Sequence, residues 1–462
     1  MAGLRSLAWR GGITLTLRQV SGMAVSFAGL VVLARLIGPA AYGIYVSAFA
    51  LHAGLVVLFQ WGVDVYLIRS PSEPTRDEVD QAATLALGLG GLGALAAWPA
   101  GWAAEAWIGI DGVATAVTTL FLGMPLQMAA LVPSALLQRR MAYGRVAWAE
   151  LAGQLALYGG AVAAALAGGK LAAPLIGWWL QQVTMTGLLI AFSGYRPRPL
   201  WNPALVRRLA GFGAGYALSV WSWQLRNLVN PLIVARLLGP EAAAGVAVAV
   251  RLAESLSFMK TVLWRISVSA LGRLQGEPAR LSAAVGEGMR LQVLAVGPLL
   301  VGFAVLAPWL VPLAFGKDWS GAAVVFPFLC LAWLVNAAFS LQASALYVLG
   351  RNGDVTLFHL THVAVLAAAA AAAVPSLGLV GYGVAELAAI ASYVVLAWLA
   401  RTALGEVESG LAMTWVIGFG AAAFYQHLGP AALAVPVAVL ILPSSRRAFS
   451  RWWAQIKELR HV

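Results

Sequence analysis

Ionisable residues stand inside long apolar runs of this chain, among them Arg18, Asp64, Arg226, Arg251, Glu254, Lys260 and Arg265. Each charge of this kind at the centre of a membrane helix costs roughly 2.5–3.5 kcal/mol, so it faces water, a cavity or a partner. Arginine donates in a planar fork that fits a phosphate two bonds at a time. These residues point to the lining of a watery cavity or to mutual pairing, not to bond cleavage. Arg18 lies on a stripe with Thr14, Ser21, Gly22, Val25 and Gly29, and no carboxylate shares its run. Arg226 shares a face with Ser219, Trp223 and Asn230, and Pro231 is expected to kink the helix there. At about 100° per residue, Arg251, Glu254 and Arg265 fall in one narrow sector, with Lys260 nearly opposite. The i, i+3 spacing of Arg251 and Glu254 fits equally a self-neutralising pair, and Arg265 fits a side chain snorkelling to the interface.

Neutral polar stripes and buried acids add secondary candidates. Trp333, Asn336, Ser340, Ser344 and Tyr347 share a face, which suits a sugar or head group, or hydrogen bonds between helices. His359 and His362, at i, i+3 without a nearby Cys or acid, make a weak metal signal and a better proton-sensing one. Glu386 reads as a hydrogen-bonded buried acid, with ion coupling as the alternative. No catalytic triad, metal cluster or phosphate-binding glycine loop is visible, so no cofactor and no enzyme activity are expected. The single cysteine, Cys330, excludes an intramolecular disulfide.

The elements that must position these residues follow from composition. The chain is 61% hydrophobic and only 10% charged, with a mean hydropathy of +0.83. Soluble domains carry about 25% charged residues. Apolar runs of 18 or more residues recur, without the period-two alternation of strands, so the expected fold is an all-α polytopic membrane protein. Fourteen runs are countable: 11–36, 41–68, 81–108, 112–137, 146–168, 171–192, 209–238, 241–270, 284–314, 320–348, 355–373, 377–400, 411–427 and 430–443. The last two are short, which makes twelve helices plus a hairpin. The first run is too long for a cleavable signal peptide and should remain as a membrane helix. With the N-terminus inside, 21 of the 30 Lys and Arg residues fall on inner ends and loops. Four fall outside (Arg35, Lys170, Arg236, Lys317) and five within runs (Arg18, Arg226, Arg251, Lys260, Arg265). This bias sets both termini in the cytoplasm. It also accounts for most of the +12 net charge without nucleic acid.

A repeat organises the chain. Residues 34–39 read Ala-Arg-Leu-Ile-Gly-Pro, and residues 235–240 read Ala-Arg-Leu-Leu-Gly-Pro, 201 positions later. Six runs precede the Pro-rich basic stretch 193–208, so two parallel six-helix lobes are expected around a central cavity. The expected organisation is a lobe at 1–192, a cytoplasmic linker at 193–208, a lobe at 209–403, a hairpin at 404–443 and a basic amphipathic tail at 444–462. Asp64 aligns with Arg265 under this offset. Arg35 and Arg236 are expected to cap helix ends. In the tail, Phe449, Trp452, Trp453, Ile456 and Leu459 recur at helical spacing, which predicts a helix held on the inner leaflet by its rings and by anionic lipid.

The first motif copy, followed by Ala41-Tyr42-Gly43-Ile44-Tyr45 and by Trp61-Gly62 through Arg69, resembles the polysaccharide (oligosaccharide) flippase family of the multidrug/oligosaccharidyl-lipid/polysaccharide exporter superfamily. The resemblance covers about residues 10–400. The second copy departs at Glu241-Ala242-Ala243-Ala244-Gly245, which lacks the aromatic positions. The resemblance implies two six-helix lobes that alternate access to the two membrane faces. It also implies a polyprenyl-diphosphate-linked oligosaccharide as cargo, for O-antigen, capsule, lipopolysaccharide or exopolysaccharide. By location, Arg18, Arg226 and Arg251 are the candidate cargo cations; Glu254, Lys260, Arg265, Asp64, Asn230 and Asn336 are secondary. The partners such a role implies are membrane lipids, a glycan polymerase and other assembly proteins in a bacterial inner membrane. A lipid II flippase and a drug/cation antiporter of the same superfamily are the alternatives. The antiporters often depend on a carboxylate in the first helix of a lobe, and the first run here has none. Membrane glycan polymerases and ligases carry a sizeable outer loop, and every outer loop here is short.

Overall fold

The structure is a computed structural model. It describes residues 2–70, 72–260, 263, 267 and 271–460, with side chains described at 22, 24–70, 72–213, 221–260, 263, 267 and 271–453. Among these residues all regular structure is helical. Among the described residues eight helices are long and apolar enough to cross a membrane, and ten if each of two bent pairs is one span. The fourteen apolar runs fall, among the described residues, on helical stretches, but several helices are interrupted. The chain forms two compact units, Met1–Ala244 and Gly245–Val462. The 209–238 run therefore packs within the first unit, although the repeat assigns it to the second lobe.

The first unit begins with α1 (Ala2–Gln60), which is broken at Gly38 (φ 76°, ψ 169°). The motif thus joins the runs 11–36 and 41–68 through one residue. After a turn at Trp61 and Gly62, α2 (Val63–Arg69) ends the second run. A capping box at Thr75 and Glu78 starts α3 (Arg76–Leu95). It leads at a 47° bend into α4 (Ala97–Ile108). The next run is α5 (Val113–Leu122), α6 (Met124–Ala129) and α7 (Leu131–Arg139), interrupted at Gly123, where Trp178 leaves no room for a Cβ. The hairpin of α8 (Tyr143–Leu166) and α9 (Ala172–Ser193) is the most extensively packed pair. Phe121, Met124, Met128 and Trp178 fill the core between these helices.

The arginines of this unit's loop end serve as helix caps. The Arg139 guanidinium donates to the carbonyls of Leu67 and Ser70 at 3.0 and 2.8 Å, and to that of Ser72. Arg140 and Arg145 donate to the carbonyls of Ser193 and Phe192, the last of α9. Carbonyls at a helix end have no partner within the helix, and a cation there offsets the dipole.

The stretch 193–208 is fastened to α3. The Tyr195 hydroxyl donates to Asp80 Oδ1 at 2.7 Å, and Arg76 binds Asp80 Oδ2 at 3.0 Å while lying over the Tyr195 ring. The backbone N–H of Leu200 donates to Thr84, and that of Asn202 to Gln81. Arg208 pairs with Glu78 at 2.8 Å. Burial pushes the Tyr195 phenol up from its ordinary value, and the Asp80 carboxylate adds to this. Asn202 then caps α10 (Pro203–Gln224) by accepting from Ala204 N–H.

The second unit contains α11 (Pro240–Leu256) from Gly245 onward, α12 (Pro278–Phe315), α13 (Ser320–Val348), α14 (Asn352–Leu377), α15 (Leu379–Ala389), α16 (Ser392–Leu404), α17 (Gly410–Ala423) and the tail helix α18 (Pro443–Arg460). The 377–400 run is thus two helices, with turns at Ile390 and Ala391 between them. Arg290, 3% exposed, pairs with Glu287 at 2.9 Å and with Glu408 at 2.6 Å, which ties the 405–409 loop to α12. The tail helix forms, but its rings are only partly free for lipid. Phe449 stacks on Trp415 of α17 at 5.8 Å, Trp452 meets the same ring edge-on, and Ser445 accepts from the Trp415 indole. Trp453 and Arg446, Arg447 and Arg451 remain exposed. Ile456 and Leu459 lie outside the described side chains.

Candidate functional site

Arg226 sits at an irregular point of its span. After α10 the chain passes through a 3₁₀ turn, Leu225–Leu228, and then a π turn, Asn230–Ala235. Pro231 explains the change: it lacks an N–H and its ring displaces the preceding turn. The expected kink is therefore a change of helix type. Arg226 is 8% exposed, with its guanidinium 5.7 Å from the centre of the Trp223 ring. Asn230 Nδ2 donates to the Ala243 carbonyl at 3.1 Å, and its Oδ1 is buried with no hydrogen-bond partner among the described residues. Ser219 and Arg18 lie outside the described side chains. Asp64 opens the first turn of α2, behind Trp61 and Gly62, where a carboxylate suits the helix N-terminus. Its repeat mate Arg265 is outside the described residues.

At the Gly239 end of this span, Arg236 lies 4.0 Å over the Trp107 ring and donates to the Trp107 carbonyl at 2.8 Å. The Trp107 indole donates back to the Leu232 carbonyl at 3.1 Å. Arg236 thus caps a helix end, that of α4 rather than its own.

In the second unit, Arg251 and Glu254 form the local pair, at 3.4 Å and with both side chains about half exposed. The strongest constellation is elsewhere. Lys260 Nζ donates to Asn336 Oδ1 at 2.5 Å and lies 5.7 Å from the centre of the Trp333 ring. Asn336 Nδ2 in turn donates to the Tyr393 hydroxyl at 2.8 Å. The Tyr393 ring packs on Phe339 and Phe358, with His362 edge-on at 5.8 Å. His362 Nδ1 is 2.9 Å from Ser392 Oγ, which gives its own proton to the Ala389 carbonyl. Ser392 therefore accepts, and His362 carries hydrogen on Nδ1. Glu386 is fully buried and accepts from the Tyr382 hydroxyl at 2.7 Å. His359 packs its ring on Phe358. In the α13 stripe, Ser340 and Ser344 donate to carbonyls of their own helix. Among the described residues no three His, Cys, Asp or Glu side chains come together as a metal site.

The structure thus joins Lys260, Asn336 and His362, which the sequence offered separately. It places Arg251 with Glu254. Tyr393 and Ser392 are additions. Their signal was a polar pair in the middle of an apolar run, at what proves to be its break.

Long apolar helices, one of them with a buried arginine at its irregular turn, define a multi-pass helical membrane protein. The profile of a family described as "Polysaccharide biosynthesis protein" matches residues 32–324. The chain belongs to that family. Among solved structures, "Lipid II flippase MurJ, inward closed conformation" aligns with a TM-score of 0.74 at 10% identity, covering 96% of this chain and 99% of the other. An inward-facing multidrug resistance MATE family transporter of the MOP superfamily aligns at 0.63 and 16% identity, covering 82% and 95%. The MATE multidrug transporter DinF-BH aligns at 0.59 and 15% identity, covering 85% and 96%. No curated protein matches the sequence. The fold is that of this transporter superfamily. The protein is a membrane transporter of the polysaccharide type and not an enzyme.

Proposed function

We propose that the protein flips a polyprenyl-diphosphate-linked oligosaccharide from the inner to the outer leaflet of a bacterial inner membrane, by alternating access, during cell-surface polysaccharide synthesis. The observation that carries this is Arg226, a guanidinium 8% exposed at a break in a membrane span. A buried cation is costly, and an anionic cargo offsets that cost. Arg18 contributes the same charge from the first helix. Lys260, held by neutral Asn336, is the second unit's cation. Arg251 is the third candidate from the sequence, with its charge already shared with Glu254. The family description, polysaccharide biosynthesis, supports the glycan part of the reading. Both termini are cytoplasmic on this reading, from the distribution of Lys and Arg.

The test is surface glycan display in cells carrying Arg226→Ala or Arg18→Ala, with membrane abundance measured beside it. Loss of display at unchanged abundance is expected, with partial activity in Arg226→Lys. Full display in both alanine variants removes these residues from the mechanism.

A lipid II cargo is the second reading. One observation sets it above a drug cargo: the MurJ alignment takes in 96% of this chain, whereas the two multidrug MATE alignments take in 82% and 85%. Rescue of a strain depleted of its lipid II flippase supports that reading over glycan export.

A further inference from the structure

We infer that Tyr393 is a positioning residue for Lys260, acting through the Asn336 amide. This rests on the reading of Lys260 as a cargo cation. Lysine is a flexible four-carbon stem with a point charge at its tip, so an ammonium set for one anion needs something to hold it. Asn336 Oδ1 accepts from Lys260 Nζ at 2.5 Å only while the amide faces that way. The ammonium, a donor only, fixes which end of the amide faces it; the amide is held in place at its other end, where Nδ2 donates to Tyr393 Oη at 2.8 Å. Turned over, the amide would point two donors at the ammonium.

Tyr393 is itself fixed by the break between α15 and α16. Its backbone N–H donates to the Ile390 carbonyl at 2.9 Å within that turn. Its ring is walled by Phe339 and Phe358, with centroids at 5.4 and 5.0 Å. The third wall is His362, oriented by Ser392, the first residue of α16. Here the break delivers two side chains that hold a rigid line of contacts from α16 through α13 to Lys260. Tyr393 touches the amide and not the cargo.

The experiment uses the purified full-length protein in nanodiscs, with farnesyl diphosphate as the probe and inorganic pyrophosphate as the lipid-free comparison. Tyr393→Phe keeps the ring and removes the hydroxyl, so its melting midpoint should stay near wild type. Its affinity for farnesyl diphosphate should fall by roughly tenfold, the effect expected for one lost bond in a charged chain. Asn336→Leu should lose at least as much, and the double variant no more than the larger single loss. In a Lys260→Met background, Tyr393→Phe should change nothing. A merely structural Tyr393 would give the same loss with or without Lys260, and that result overturns the inference. So does unchanged affinity in Tyr393→Phe. If the wild type binds neither probe, the cargo reading fails and this inference with it; binding that ignores Tyr393 sinks the inference alone.

Discussion

Gly38 and Gly239 adopt the same backbone conformation, φ 76° and ψ 169° at one, φ 88° and ψ 176° at the other. Each is followed by a proline that starts the next helix. The region they occupy is essentially closed to residues with a Cβ. The repeat seen in the letters is therefore a repeat of a turn. The two turns also meet: a Cβ on Gly43, four residues past the first proline, would lie 1.8 Å from the Pro240 carbonyl oxygen.

Alanine at either turn glycine should destabilise the protein by roughly 1–3 kcal/mol through backbone strain. Gly88→Ala in α3, where a Cβ meets nothing within 4 Å, should have the opposite sign. Thermal denaturation of the three variants in detergent checks this. Equal midpoints for Gly38→Ala and wild type would contradict the geometry.

The linker over α3 should open when Asp80 is changed. Asp80→Ala leaves Tyr195 and Arg76 without their shared acceptor, a loss of roughly 1–3 kcal/mol locally. Protease cleavage within 194–202 should accelerate several-fold. The raised Tyr195 phenol gives a pH signature as well. Its neutral form is favoured in the folded protein, so its contribution is complete below the ordinary value of 10.0 and is lost as pH rises beyond it. Tyr195→Phe should cut the alkaline acceleration of cleavage between pH 10 and 12.

Arg290 predicts an inverted pair of effects. Removing both Glu287 and Glu408 strands a cation that is 3% exposed, at roughly 3–5 kcal/mol. Arg290→Met leaves two partly exposed acids that water can solvate, and it should be the milder change. Melting midpoints decide, and a harsher Arg290→Met would show that the guanidinium's own packing dominates.

Topology has a direct check. Tags at both ends should be protected from outside reagents in intact cells and labelled after lysis. A tag after Val462 that labels in intact cells overturns the charge-based orientation.

Class, helical content, repeat and the broad placement of spans were legible because they depend on composition and spacing along one chain. The Arg251–Glu254 pair was legible for the same reason, since i, i+3 neighbours meet on any helix. Arg290 was sorted by sequence as one more loop-end charge, because its partner Glu408 is distant along the chain. The tail's rings were given to lipid because Trp415 could not be seen beneath them.

What the residues alone determined is that this chain must fold as helices in a membrane and must find partners for its intramembrane charges. Which partner each charge takes was decided by packing. Lys260 meets Asn336, and Asn336 meets Tyr393, because packing brings residues 76 and 57 positions apart, in successive steps, within hydrogen-bond reach. Periodicity reports only the face a side chain occupies on its own helix; the helix opposite that face is chosen by tertiary close packing.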